Sequence, residues 1–112
     1  MSFVVREFLD DSGRSPFRQW LVALDLVTRA RVQARVLRFE TGNLGDHKQL
    51  GEGVWEARLD FGPGYRIYFG RSGRDLVLLL LGGDKGSQVK DIKQAKTFWA
   101  TFVKELKHGK KK

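Results

Sequence analysis

The chain has 112 residues, no cysteine and 21 lysines and arginines against 13 aspartates and glutamates, which gives a net charge of +8. This length predicts one domain, which we assign to residues 1–107, followed by a disordered basic tail over residues 108–112. The lack of cysteine excludes disulfides and thiolate zinc sites. The longest apolar run, Leu76–Leu81, is too short to span a membrane. No secretion signal is visible at the N-terminus, so a cytoplasmic protein without membrane contact is expected.

The positive charge is unevenly distributed along the chain. Residues 1–56 carry eight basic and eight acidic side chains, whereas residues 57–112 carry thirteen basic and five acidic ones. Such asymmetry indicates a polyanionic partner such as nucleic acid. The simpler interpretation is solubility together with a basic tail, because four lysines near the C-terminus supply half of the excess: Lys107, Lys110, Lys111 and Lys112.

The first half of the chain predicts one strand followed by two helices. Residues 3–9 alternate between apolar and polar side chains, as a strand does. Ser15 and Pro16 are typical of a helix start, and Thr28 can cap a second helix that runs to about Thr41. That helix is expected to bury one stripe and to carry arginines on a different face: Val32, Val36 and Phe39 against Arg31, Arg35 and Arg38.

The second half of the chain predicts a β-meander and a final helix. Residues 42–53 contain four glycines and are expected to form a loop. Residues 54–61, 65–69 and 75–82 then read as three antiparallel strands joined by short turns. A last helix begins at Ser87 or Gln88 and ends near residue 106. The predicted fold is therefore α+β, an antiparallel sheet with the order β-α-α-β-β-β-α.

The polar face of the meander is the strongest candidate for chemistry. Strand alternation puts Glu56 with Arg58, and Arg66 with Tyr68, while Lys85 follows the next strand. If these polar faces coincide, two arginines and a lysine surround one carboxylate. Such a group can grip phosphate oxygens and stabilise the charge that develops during metal-free RNA cleavage by the 2′-hydroxyl. The simpler alternative is a solvated sheet face with cross-strand Glu–Arg pairs.

Further residues are candidates for RNA contact rather than catalysis. The rings of Trp55 and Tyr68 can stack on unpaired bases, and Lys48, Lys90 and Lys93 can bind phosphates. Metal chemistry is not expected, because the two histidines are far apart and no carboxylate cluster has ligand spacing. No cofactor motif is present either.

Three segments together resemble one known family. They are Lys48–Leu59, Gly64–Tyr68 and the Gly83–Gln88 stretch that precedes Asp91 and Ile92. In this order they resemble the RelE/ParE toxin superfamily, in particular its HigB-like branch of addiction module killer proteins. The resemblance implies a RelE-like fold and a toxin of a type II toxin–antitoxin pair. Such toxins cleave translated mRNA in the ribosome, cause growth arrest and are inhibited by an antitoxin, here a helix-turn-helix protein similar to HigA.

The resemblance also implies roles for four basic residues. Arg58 matches a strand position that contacts or activates the RNA, and Arg66 matches the arginine that supports the scissile phosphate. Lys85 matches a residue placed to stabilise charge or to protonate the leaving group. Lys48 falls at a basic position that contacts substrate.

The proton acceptor is left open, because the sequence departs from the RelE pattern. RelE proteins carry a second lysine where Glu56 stands, and a tyrosine where this chain has Lys90, Asp91 and Ile92. Glu56 is therefore one candidate base, with Tyr68 or Asp91 assisting. Because some HigB toxins use histidine and aspartate, two more candidates follow, His47 and Asp84.

Two other functions fit the same resemblance. A ParE-like inhibitor of DNA gyrase would share the fold and lack nuclease activity. A non-catalytic RNA-binding module would retain the basic surface alone.

Overall fold

The computed structural model describes residues 2–108, which form a five-stranded sheet and three α-helices. In chain order the elements are β1 (Val4–Glu7), α1 (Pro16–Val22), α2 (Leu26–Glu40), β2 (His47–Gly51), β3 (Val54–Leu59), β4 (Tyr65–Ser72), β5 (Leu76–Gly83), a 3₁₀ turn (Lys85–Ser87) and α3 (Gln88–His108). The predicted α+β class is confirmed. None of the helices in this part of the chain combines the length and apolar character that crossing a membrane requires.

The sheet differs from the prediction in two ways. Its strand order is β1-β5-β4-β3-β2, and β1 runs parallel to β5 while the other neighbours are antiparallel. The sheet is therefore mixed, and the prediction of an antiparallel sheet is wrong for β1. The predicted loop over residues 42–53 contains the edge strand β2, so the order is β-α-α-β-β-β-β-α. The expected order β-α-α-β-β-β-α lacks that strand.

The helix starts follow from side-chain caps. Ser15 accepts a hydrogen bond from the Arg18 amide at 2.9 Å, as its position before Pro16 predicts. The second helix starts earlier than expected, because the Asp25 carboxylate caps it by accepting from the Thr28 amide at 3.2 Å. The last helix extends through His108, which the prediction assigned to the tail. The rest of that predicted tail, residues 109–112, lies outside the described residues.

The sheet separates two apolar clusters, one under each helical layer. Helices α1 and α2 cover one face, where Phe17 and Phe39 pack against Ile67 and Phe69. Helix α3 covers the other face, where Trp99 and Ala95 pack against buried side chains of the sheet: Val54, Tyr68, Leu78 and Leu80. Because α3 lies across the face that carries the alternate polar residues of β3 and β4, much of that face is buried.

Candidate functional site

The strand register brings the predicted basic residues together. Arg58 on β3 lies directly opposite Arg66 on β4, and Glu56 lies opposite Tyr68. On its other side, Glu56 pairs with Lys48 of β2. The expectation that the polar faces of β3 and β4 coincide is therefore confirmed.

Glu56 is a buried carboxylate at the centre of this group. Its side chain is 0% exposed. The Oε1 atom lies 3.4 Å from Arg66 Nε and accepts a hydrogen bond from Gln88 Nε2 at 3.0 Å. The Oε2 atom lies 3.7 Å from Arg58 Nε, an ion-pair distance without a hydrogen bond. Within residues 2–108, Oε2 and the Nε atoms of both arginines therefore remain without hydrogen-bond partners.

The two arginines that contact Glu56, Arg58 and Arg66, line a depression, which we call the basic concavity. Its volume is about 350 Å³, and Arg58, Arg66 and Lys85 line it together with Asp46 and with residues at and after the end of β3: Leu59, Asp60 and Gly64. Arg58 is 39% exposed and lies 3.8 Å from the open carboxylate of Asp46. Lys85 is exposed and makes no ion pair with any described residue. The basic concavity thus presents three cations with donors suited to a phosphate.

Gly64 brings the turn between β3 and β4 close to the guanidinium of Arg66. Its φ of +81° is a conformation that favours glycine, and a Cβ there would lie 3.2 Å from Arg66 Nη1. The close approach lets Arg66 Nη1 donate a hydrogen bond to the Gly64 carbonyl at 2.8 Å. This bond and the Glu56 ion pair fix the Arg66 guanidinium from two sides.

Arg35 of α2 holds the backbone behind the basic concavity. It is buried and donates to the carbonyls of Arg58 and Asp46 at 2.8 Å each. It also donates to the carbonyl of Leu44 at 3.1 Å. Burial lowers the pKa of Arg35, and the nearby positive charge of Arg38 lowers it further. The sequence grouped Arg35 with other arginines but gave no sign that it clamps three carbonyls.

Sequence reasoning also missed Asp46 and Gln88. Asp46 is an exposed residue just before β2, and Gln88 opens α3. Their contacts to Arg58 and Glu56 join segments that are far apart in the chain. No local sequence pattern indicates such contacts.

Two predicted acids stabilise the turn that carries Lys85. Asp84 accepts hydrogen bonds from the amides of Gly86 at 2.8 Å and Ser87 at 3.2 Å. Asp91 is buried and accepts from the Ser87 hydroxyl. Both carboxylates are therefore engaged in holding the 3₁₀ turn and the start of α3. They do not line the basic concavity.

Tyr68 is not exposed for stacking, contrary to what its place on the polar face suggested. Its side chain is fully buried under α3. Burial raises the pKa of its hydroxyl, and the negative charge of Glu56 adds to that effect. Its hydroxyl has no hydrogen-bond partner in the described part of the chain. Stacking on a base and accepting a proton both require a different conformation of this ring.

Trp55 and His47 lie on the opposite face of the sheet from the basic concavity. Their rings are 5.6 Å apart, and the guanidinium of Arg71 lies 5.6 Å above the Trp55 ring. His47 Nδ1 is 2.7 Å from the Gly45 carbonyl, so it donates there. The structure therefore separates this pair from Arg58 and Arg66.

The remaining predicted lysines surround the site without entering it. Lys48 is exposed on the edge strand beside Glu56. Lys90 and Lys93 are exposed on α3 and line a small surface depression beside the 3₁₀ turn. These lysines could contact a chain of phosphates that passes the basic concavity, but they do not line the basic concavity.

Comparison with known proteins identifies a relative but no function. No protein-family model matches the chain. An uncharacterized protein of Haemophilus influenzae is 48% identical over 81 residues, which cover 71% of this chain and 82% of that protein. The chain belongs to the same family as this protein. The name of the Haemophilus relative states no activity, so a functional interpretation of this chain depends on the geometry of the site.

Proposed function

We propose that the protein is the toxin of a type II toxin–antitoxin system, a ribosome-dependent endonuclease that cleaves translated mRNA and arrests growth. The observation that carries the proposal is the basic concavity, where Arg58, Arg66 and Lys85 line one space and the two arginines also contact a buried carboxylate. The segments that resemble HigB-like toxins include all three of these residues.

The proposed reaction uses the 2′-hydroxyl of the RNA as nucleophile, a proton acceptor and positive charge on the protein. The 2′-oxygen attacks the neighbouring phosphorus while its proton passes to a base. The bond between phosphorus and the 5′-oxygen then breaks, and that oxygen takes up a proton. The products are a 2′,3′-cyclic phosphate and a 5′-hydroxyl end. Positive charge around the phosphate stabilises the extra negative charge of the transition state.

The geometry suits distinct roles for the three cations. Arg66 is held in place by Gly64 and Glu56, so it is suited to a fixed contact with a non-bridging oxygen. Arg58 is more exposed and is suited to follow the phosphate as its geometry changes. Lys85 is free of ion pairs among the described residues and is suited to donate a proton to the leaving oxygen.

The same proposal includes a place and a partner. A ribosome-dependent nuclease acts in the cytoplasm, where its mRNA substrate is translated. A toxin of this kind is kept inactive by an antitoxin, and the resemblance indicates a small helix-turn-helix protein similar to HigA.

A second candidate function is RNA binding without cleavage. The burial of Glu56 favours it, because this carboxylate accepts a proton from substrate only after the side chains that cover it move. Neither Asp84 nor Asp91 lines the basic concavity, so neither is placed to replace it. Under this alternative, the basic concavity binds a phosphate of a ribosomal or messenger RNA and blocks translation.

Expression from an inducible promoter tests the proposal. Wild-type protein should arrest growth, and primer extension should reveal discrete cleavage sites with 5′-hydroxyl ends in a translated mRNA. Lys85→Ala should lower the cleavage rate about 100-fold, the effect of removing one group that stabilises the transition state. The exposed Lys85 is preferred to Arg66 for this test, because loss of Arg66 leaves Glu56 buried with fewer partners.

A matched control is Lys104→Ala, which removes an exposed lysine from α3 far along the chain from the basic concavity. It should retain wild-type cleavage at equal expression. Growth arrest without cleaved mRNA contradicts the nuclease and supports RNA binding alone. DNA damage in place of cleaved mRNA supports the gyrase alternative.

A further inference from the structure

Helix α2 carries a basic surface that the proposed reaction does not use. Arg31 and Arg38 are exposed seven residues apart, and the buried Arg35 lies between them. All three line a depression of about 400 Å³, which we call the arginine groove. Its other walls come from α2 and from the segment that follows β3: Ala34, Leu59, Asp60 and Phe61.

The two exposed arginines are not neutralised by neighbouring acids. Neither side chain makes a hydrogen bond or an ion pair with any other residue in the range 2–108. Arg31 instead lies over the ring of Phe61, 4.6 Å from its centroid, which restricts the guanidinium to the wall of the groove. Among the residues that the structure describes, Asp60 is the one carboxylate that lines the arginine groove beside its three arginines.

The arginine groove is continuous with the basic concavity. Leu59 and Asp60 line both depressions, and Arg35 bonds to the Arg58 carbonyl from within the groove. A polyanion that occupies the basic concavity therefore has positive charge along its path on leaving it. An isolated phosphate in the basic concavity would not contact the arginine groove, whereas a nucleic-acid strand with regularly spaced phosphates would contact both depressions.

We infer that the arginine groove binds the phosphate backbone of the single-stranded RNA whose scissile phosphate occupies the basic concavity, with Arg31 and Arg38 as its contacts. This inference rests on the proposed function for the identity of the strand. The partly exposed rings of Phe61 and Tyr65, 5.4 Å apart, offer an apolar wall beside the backbone.

Ordinary helix chemistry does not account for both arginines. Arg38 lies in the last turn of α2, where a cation interacts favourably with the helix dipole. Arg31 lies in the middle of the helix, where this effect has faded. Both line the same depression as Arg35, and a bound anion would reduce the repulsion among these three like charges.

Binding of a fluorescein-labelled, twelve-nucleotide single-stranded RNA to the full chain tests the inference. Fluorescence anisotropy is measured between about 50 and 200 mM salt, where phosphate contacts determine the slope of log affinity against log salt. Arg31→Ala combined with Arg38→Ala should reduce that slope by about 1.4, since each lost contact to a single strand contributes about 0.7. A variant with Arg38→Ala alone should lose about half as much.

The matched control replaces two exposed arginines away from the groove, Arg14→Ala with Arg74→Ala, and removes the same net charge. Equal slopes for the groove and control variants would overturn the inference, and so would a wild-type chain that does not bind the RNA. The assay is separate from cleavage. Normal RNA binding through Arg31 and Arg38 without any mRNA cleavage would overturn the nuclease proposal, while the inference that the arginine groove binds RNA would still hold.

Discussion

Burial gives the carboxylate of Glu56 a structural role whatever its part in catalysis. It is 0% exposed and is the shared partner of Arg58, Arg66 and Gln88. Bringing a charge out of water is costly, and the two arginines and the hydrogen bond from Gln88 offset that cost. Removing the acid would leave Arg66, which is 11% exposed, without its counterion. Glu56 therefore keeps two cations close together that would otherwise repel each other.

Glu56→Gln keeps the shape of the side chain and removes its charge. We expect the free energy of unfolding in urea to fall by about 3 kcal/mol, because breaking a buried pair leaves an uncompensated charge. Asp46→Asn is the matched control, since Asp46 pairs with the same Arg58 but is 66% exposed. The control should cost less than about 1 kcal/mol. Equal losses in the two variants would show that Glu56 is not the anchor of the cluster.

At the level of elements, strands with a buried face were predictable and the edge strand was not. Strands β3 and β4 alternate because one face of each packs apolar side chains under α1 and α2 while the other carries the polar residues of the site, so their positions can be predicted from periodicity. Strand β2 exposes Lys48 and Gln49 and has no such alternation. Its conformation comes from backbone pairing with β3, which a local pattern does not reveal.

Part of the candidate site was likewise predictable from the sequence and part of it was not. Arg58 and Arg66 could be paired from the sequence, because a short turn joins two alternating strands and limits their register. The contacts from Asp46, Gln88 and Arg35 come from distant parts of the chain and depend on how the helices pack. The burial of Glu56 depends on the path of α3, so the sequence could not distinguish a solvated acid from an enclosed one.

The β2–β3 turn should be sensitive to a single methyl group at Gly53. Its φ is +84°, and a Cβ there would lie 2.2 Å from Trp99 Nε1 on α3. Gly51, the last residue of β2, has a φ of +96° but no atom within 4 Å of such a Cβ. Gly51→Ala should therefore cost about 1–2 kcal/mol from backbone strain alone, and Gly53→Ala a further 1–3 kcal/mol from overpacking. Thermal unfolding of the two variants measures the difference, and similar losses would contradict the close packing of α3.

At the level of the whole molecule, the charge of a segment did not predict where its charges act. The neutral first half of the chain contains Arg31 and Arg38, which line the arginine groove. Two of its acids are engaged elsewhere: Glu7 pairs with Arg18, and Asp25 caps α2. The basic second half contributes Arg58, Arg66 and Lys85 to the basic concavity. Folding thus brings cations from both halves of the chain to adjoining surfaces. The net charge of each half does not reveal this arrangement.

A chain that ends at His108 separates general attraction for polyanions from action at the site. It lacks Lys110, Lys111 and Lys112, so its net charge falls from +8 to +5. Each lysine that meets a phosphate releases counterions, so the salt slope for single-stranded RNA should fall by up to about 2. The positions of mRNA cleavage should stay the same, because the basic concavity and the arginine groove are intact. Lys85→Ala should do the reverse, with a fall in slope of at most about 0.7, the contribution of one phosphate contact, and a large loss of cleavage. Cleavage lost on truncation and retained in Lys85→Ala would move the function from the folded site to the C-terminal lysines.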